Sequence, residues 1–68
     1  MEGRKVIYKK HALDMMTDRG ITREQVEIGL TRGSRFKQTE GFLVKYSYFS
    51  VAYKIVGQKY VVKTVYIN

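Results

Sequence analysis

Met16-Thr17-Asp18-Arg19-Gly20-Ile21-Thr22-Arg23-Glu24-Gln25-Val26 reads as the end of one helix, a tight corner and the start of another. Gly20 has no Cβ and can take the left-handed conformation that closes a helix. With Gly20 at C′, Met16 falls at C3 and Ile21 at C″, the apolar pair that a Schellman motif brings together. Thr22 then caps a second helix. Gln25, three residues on, completes a capping box, and Ile21 with Val26 forms the matching hydrophobic staple. Upstream, Ala12, Leu13, Met15 and Met16 share one broad side of a helix from about Lys10 to Arg19, with Asp14 and Asp18 on the other. Downstream, the second helix runs to about Arg32 and ends at Gly33. Val26, Gly29 and Leu30 line its inner face. A glycine there costs about 1 kcal/mol against alanine, so another part of the chain is expected to approach Gly29 closely.

Outward from the corner the period changes. Val6, Ile7 and Tyr8 form a short first strand, with Arg4 and Lys5 before it and Lys9 and Lys10 after it. Beyond Gly33 the period is near two, giving four antiparallel strands at about 34–39, 42–47, 50–56 and 59–67. Glu40-Gly41 and Gly57-Gln58 read as two-residue hairpin turns, the second with glycine first as a type II′ turn prefers. A middle turn falls around Tyr48-Phe49. The expected fold is α+β in the order β-α-α-β-β-β-β, two N-terminal helices packed on an antiparallel sheet, as one domain over residues 1–68. If Val56 pairs with Lys59, strict alternation puts Ile55 opposite Tyr60, Tyr53 opposite Val62, Val51 opposite Thr64 and Phe49 opposite Tyr66, all beneath the helices. Lys54, Ala52 and Ser50, with Val61, Lys63 and Val65, then face away.

A chain of 68 residues buries only roughly 60% of its unfolded surface, so its stability is marginal without help. It has no cysteine, one histidine and six carboxylates, which excludes disulfides and thiolate metal sites and argues against structural zinc. A homodimer or a bound partner is therefore expected. No stretch has the length of a membrane span and no signal-peptide pattern opens the chain, so no membrane is implied and the cytoplasm is the default address. Disorder is confined to the first three residues. Thirteen Lys and Arg against six Asp and Glu leave a net charge of +7. That balance favours polyanions: nucleic acid first, an acidic protein second.

The basic residues are the first functional candidates. Lys54, Lys59 and Lys63, with Arg35, Lys37 and Lys45 on neighbouring strands and Lys9 and Lys10 near the first helix, can spread positive charge over an open sheet. Single-stranded RNA is bound by such charge combined with aromatic rings on which bases stack, and Tyr46 and Tyr48 are candidates for the rings. Sheet-edge lysines also guard against aggregation, and strand tyrosines often serve the core. His11 begins the first helix, and Arg19 lies two turns on along the same side. A histidine and an arginine together can supply proton transfer and phosphate stabilisation.

His11-Ala12-Leu13, Met16, Arg19-Gly20-Ile21-Thr22, Val26 and the closing Lys63-Thr64-Val65-Tyr66 resemble the signature of a family of small bacterial and archaeal proteins of unknown function. The resemblance spans about Lys9 to Tyr66. In element order that family is similar to the RelE/ParE superfamily of toxins, which includes BrnT-like ribonucleases. The resemblance implies an RNA-binding RelE-like domain, cleavage of mRNA without metal or cofactor, and inhibition by an acidic antitoxin-like partner. In that implied reaction the RNA 2′-hydroxyl attacks the adjacent phosphate and the P–O5′ bond breaks, leaving a cyclic phosphate and a free 5′-hydroxyl. His11 serves as acid or base, Arg19 and Lys63 stabilise the charged phosphorane, and Tyr66 orients the nucleotide. Many members carry an arginine four residues before Arg-Gly-Ile; this chain has Met15 there and lacks that charge. The alternative is a non-catalytic module that binds nucleic acid or an acidic protein.

Overall fold

The computed structural model describes residues 5–68; Arg4 and the first three residues, expected to be disordered, lie outside the described residues. The elements run β1 (Lys5–Tyr8), α1 (Lys10–Arg19), α2 (Arg23–Arg32), β2 (Ser34–Gln38), β3 (Gly41–Tyr46), β4 (Phe49–Val56) and β5 (Lys59–Ile67). The helical corner forms as the sequence predicts. Gly20 sits at φ 70°, ψ 31°. Ile21 N–H donates to Met16 O at 2.8 Å and Gly20 N–H to Thr17 O at 3.3 Å, the bond pair of a Schellman motif. Gln25 N–H donates to Thr22 Oγ1 at 3.1 Å, and Thr22 N–H donates back to Gln25 Oε1 at 2.8 Å, so the capping box is complete. Met16, Ile21 and Val26 are all buried.

The five strands form one sheet in the order β1-β5-β4-β3-β2. β2 through β5 make the antiparallel meander, but β1 runs parallel to β5, with Val6 beside Tyr60 and Tyr8 beside Val62. The sheet is therefore mixed rather than antiparallel throughout. Two helices carry the chain from β1 across the sheet to the far edge, where β2 begins, and the meander then works back until its last strand meets β1. Both helices lie on one face. Ala12, Met16, Ile21, Val26 and Leu30 pack against Val44, Phe49, Val51, Tyr53, Tyr60, Val62 and Val65. Gly29 belongs to this contact: a Cβ there would lie 3.2 Å from the Phe49 ring and 3.3 Å from Tyr46 Cβ, which explains the glycine in mid-helix.

Two turns and half a register differ from the sequence expectation. The turn at Gly57-Gln58 is correctly placed, with Gly57 at φ 60°. The other two lie one residue earlier than expected. Thr39-Glu40 connects Gln38 to its partner Gly41, and Ser47-Tyr48 connects Tyr46 to Phe49. Ser47 takes a φ of 54°, an unfavourable angle for a residue with a Cβ. Asn68 holds this turn from a distance: its N–H donates to Tyr48 O at 2.9 Å, and its Nδ2 to Ser47 O at 3.3 Å and Phe49 O at 3.2 Å.

The β4–β5 pairing follows the expected register from Val56–Lys59 to Tyr53–Val62, then slips at a bulge. Beyond it Ala52 pairs with Thr64, Val51 with Val65, Ser50 with Tyr66 and Phe49 with Ile67. Lys63 is the extra residue. Strict alternation would bury the Thr64 and Tyr66 hydroxyls and expose Val65. The bulge instead makes Val65 fully buried and leaves Thr64 and Tyr66 on the face away from the helices, which avoids desolvating polar groups.

Candidate functional site

The bulge and the one-sided placement of the helices create an uncovered sheet face. From the register it carries Lys5 and Ile7 on β1, and Lys59, Val61, Lys63, Thr64 and Tyr66 on β5. Val56, Lys54, Ala52 and Ser50 follow on β4, Leu43 and Lys45 on β3, and Phe36 with Ser34 and Gln38 on β2. Five lysines thus share a face with no strand carboxylate. The helices hold Lys10, Arg19, Arg23 and Arg32 against Asp14, Asp18, Glu24 and Glu27, a net charge of zero. The strands hold Lys5, Arg35, Lys37, Lys45, Lys54, Lys59 and Lys63 and no acid, so they alone account for a charge equal to the chain's +7.

Within the face, Lys5 stands directly beside Lys59 across β1 and β5. Like charges opposite one another destabilise a sheet, and a bound polyanion would relieve that repulsion. Lys63 donates from Nζ to Glu40 O at 2.8 Å. Lys54 and Lys63, with Glu40, Gly41, Phe42 and Ile55, line an open cleft of about 360 Å³ at the β2–β3 turn. Lys45 Nζ lies 5.5 Å from the centroid of the Phe36 ring. Both Phe36, 49% exposed, and Tyr66, 47% exposed, project from the core into solvent.

Other sequence candidates stand elsewhere. Arg35 pairs with Val44 and Lys37 with Phe42, so both point to the helix side of edge strand β2. The helices do not cover that strand, and both residues are exposed; Arg35 stacks 5.7 Å from the Phe42 ring centroid. They do not join the lysines of the uncovered face. Lys9 is the N-cap of α1 and Lys10 its first residue, ion-paired to Asp14 at 3.3 Å, so both belong to the helix layer. Tyr46 also faces the helices, edge-on to Phe49 at 6.0 Å. Tyr48 occupies the β3–β4 turn, where its hydroxyl accepts a bond from Gln25 Nε2 at 3.3 Å. Tyr46 is not an outward platform, and Tyr48, though 46% exposed, lies in the turn and not on the lysine face. Phe36, flanked by two basic residues in an alternating strand, is the ring that sequence reasoning missed. Its signal was that alternation, which puts Phe36 on the opposite face from Arg35 and Lys37.

The proposed catalytic quartet is divided. His11 and Arg19 are exposed on α1, eight residues apart and so separated by about 12 Å along the helix axis, with Arg19 3.8 Å from Asp18. Lys63 and Tyr66 lie on the opposite face of the sheet. One pocket drawing on all four is not formed. Among the described residues no group of three or more His, Cys, Asp or Glu side chains gathers that could hold a metal ion.

A separate polar cluster sits on the helix side. The Tyr8 hydroxyl lies 3.4 Å from Glu27 Oε2 and 3.4 Å from Arg23 O, and the Arg23 guanidinium lies 5.4 Å from the Tyr8 ring centroid. Burial pushes the Tyr8 hydroxyl up to about 12 from its ordinary 10, Glu27 adds to the rise through its charge and hydrogen bond, and Arg23 opposes it. This cluster ties β1 to α2.

Comparison with known protein families, with characterised proteins and with solved structures gives no match for this chain. Among the described residues no helix is long and apolar enough to cross a membrane.

Proposed function

We propose that this protein binds nucleic acid, RNA foremost, through the uncovered face of its sheet. The observation that carries the reading is the distribution of charge: the two helices balance to zero, with Lys9, Arg35 and Lys37 in excess on their side of the sheet, whereas the uncovered face holds five lysines and no strand carboxylate. Polyanion affinity comes chiefly from such phosphate contacts. RNA is preferred over DNA because of the resemblance in element order to the RelE/ParE superfamily of toxins, which includes BrnT-like ribonucleases. The cleavage and the antitoxin partner implied by that resemblance belong to a narrower version of the same proposal. Because His11 and Arg19 lie across the sheet from Lys63 and Tyr66, binding rather than cleavage is the reading adopted.

The test compares two double variants of equal charge change. Lys45→Glu with Lys54→Glu alters the sheet face; Arg19→Glu with Arg32→Glu alters the helix layer. With labelled RNA at about 150 mM salt, where charges are screened beyond about 8 Å, the sheet pair is expected to lose at least tenfold in affinity and the helix pair less than threefold, on the order of the effect of charge at a distance. The RNA is expected back intact from each incubation. Equal losses from the two pairs would refute a directional interface. Cleavage by the wild type that His11→Ala abolishes at unchanged affinity would move the function to the helix layer.

A further inference from the structure

The uncovered face presents two aromatic rings that the core does not use. Phe36 and Tyr66 are each close to half exposed, and Lys45 lies over Phe36. Between the rings lie small side chains that their neighbours largely cover. Ala52 and Ser50, on the same face, are 6% and 3% exposed, and Thr64 is half-buried. Phe36 belongs to the cross-strand row Phe36-Leu43-Ala52-Thr64, and Tyr66 to the next row, Ser34-Lys45-Ser50-Tyr66. Three interstrand spacings and one same-face step along the strands separate the two rings by about 16 Å. Lys45 stands between them on β3. Two half-exposed rings with an ammonium group between them can receive bases and phosphate at once.

We infer that the ligand of this face is a single strand whose unpaired bases stack on Phe36 and Tyr66, with the intervening phosphates on Lys45 and its neighbours. The inference rests on the nucleic-acid reading above and narrows it. In a duplex the base faces are occupied by the adjacent base pairs, so a flat sheet reaches only phosphates; a single strand offers both phosphates and base faces. A second copy of this chain fits the face poorly, because a two-fold contact would set five lysines against five. The salt-dependent share of affinity then belongs to the lysines and the strand preference to the rings.

The chain has no tryptophan, so Phe36→Trp supplies a single reporter at the proposed platform. Its fluorescence is expected to be quenched by single-stranded RNA of mixed sequence and unchanged by the matching duplex or by inorganic polyphosphate. In anisotropy titrations Phe36→Leu and Tyr66→Leu are each expected to lower single-strand affinity about tenfold, the scale of one lost base stack, with salt slope and duplex affinity as in the wild type. Both side chains are half in solvent, so the core is expected to survive the change, with an unaltered circular dichroism spectrum as the check. Wild-type affinity in both leucine variants overturns this inference and leaves the lysine-dependent reading standing. Equal losses on single strand and duplex do the same. A dimeric wild type that becomes monomeric in the leucine variants assigns the rings to an interface between copies and also overturns it. Absence of any wild-type binding removes the nucleic-acid reading itself.

Discussion

If the five lysines of the uncovered face are the phosphate contacts, the salt dependence of binding follows from their number. Each neutralised phosphate on a single strand contributes about −0.7 to the slope of log K against log salt. Five contacts give about −3.5, and a rise in salt from about 50 to 200 mM weakens binding roughly a hundredfold. Lys63 already donates one bond to Glu40 O, but an ammonium has three donors, so it remains available to phosphate. Were it fully committed to Glu40, the slope would be about −2.8. Lys54→Ala or Lys45→Ala should each reduce the slope by about 0.7, whereas Arg32→Ala, on α2, should leave it unchanged. The assay is anisotropy of a labelled single strand at four or more salt concentrations. A wild-type slope shallower than about −1, or one that Lys54→Ala does not alter, refutes the assignment of the phosphate contacts to this face.

Two further outcomes concern the scaffold. Gly20→Ala should destabilise by about 1 kcal/mol, measured by urea unfolding: at φ 70° a Cβ meets nothing within 4 Å, so the whole cost is the left-handed backbone, and unchanged stability would contradict the Schellman assignment. Tyr8, with its hydroxyl raised from 10 to about 12, holds its proton more tightly when folded than when unfolded. Its contribution to stability is full below pH 10 and lost as pH rises from 10 to about 12. Ultraviolet titration of wild type minus Tyr8→Phe should show the missing phenol ionising near pH 12, and a difference midpoint near 10 would deny the burial and the Glu27 contact.

The helical corner was legible in the sequence because every signal in it is local. Gly20, Ile21, Thr22 and Gln25 act on one another within six residues, and their bonds form with any tertiary surroundings that leave room for them. The Gly57-Gln58 turn was legible for the same reason, since a glycine with a favoured positive φ defines the hairpin and the pairing closest to it. The turn at Ser47-Tyr48 was not, because what stabilises the positive φ of Ser47 is Asn68, twenty-one residues away. That the strands are basic could be read from composition. Which basic residues share a face could not: Arg35 and Lys37 were grouped with Lys45 and Lys54, and the β2–β3 register sets them on opposite sides.

The parallel pairing of β1 with β5 and the bulge at Lys63 were decided only by the assembled fold. β1 has four residues and pairs with a strand more than fifty positions away, so nothing near it in the chain specifies its direction. Alternation along β5 fits two frames, and the helix layer selects between them by accepting Val65 and rejecting the hydroxyls of Thr64 and Tyr66. Because side chains alternate with period two, that single extra residue moves every later side chain of β5 to the other face. Local chemistry therefore determined the elements of this protein, while packing against the helices determined that Tyr66 and Lys63 share the open face and that His11 and Arg19 do not.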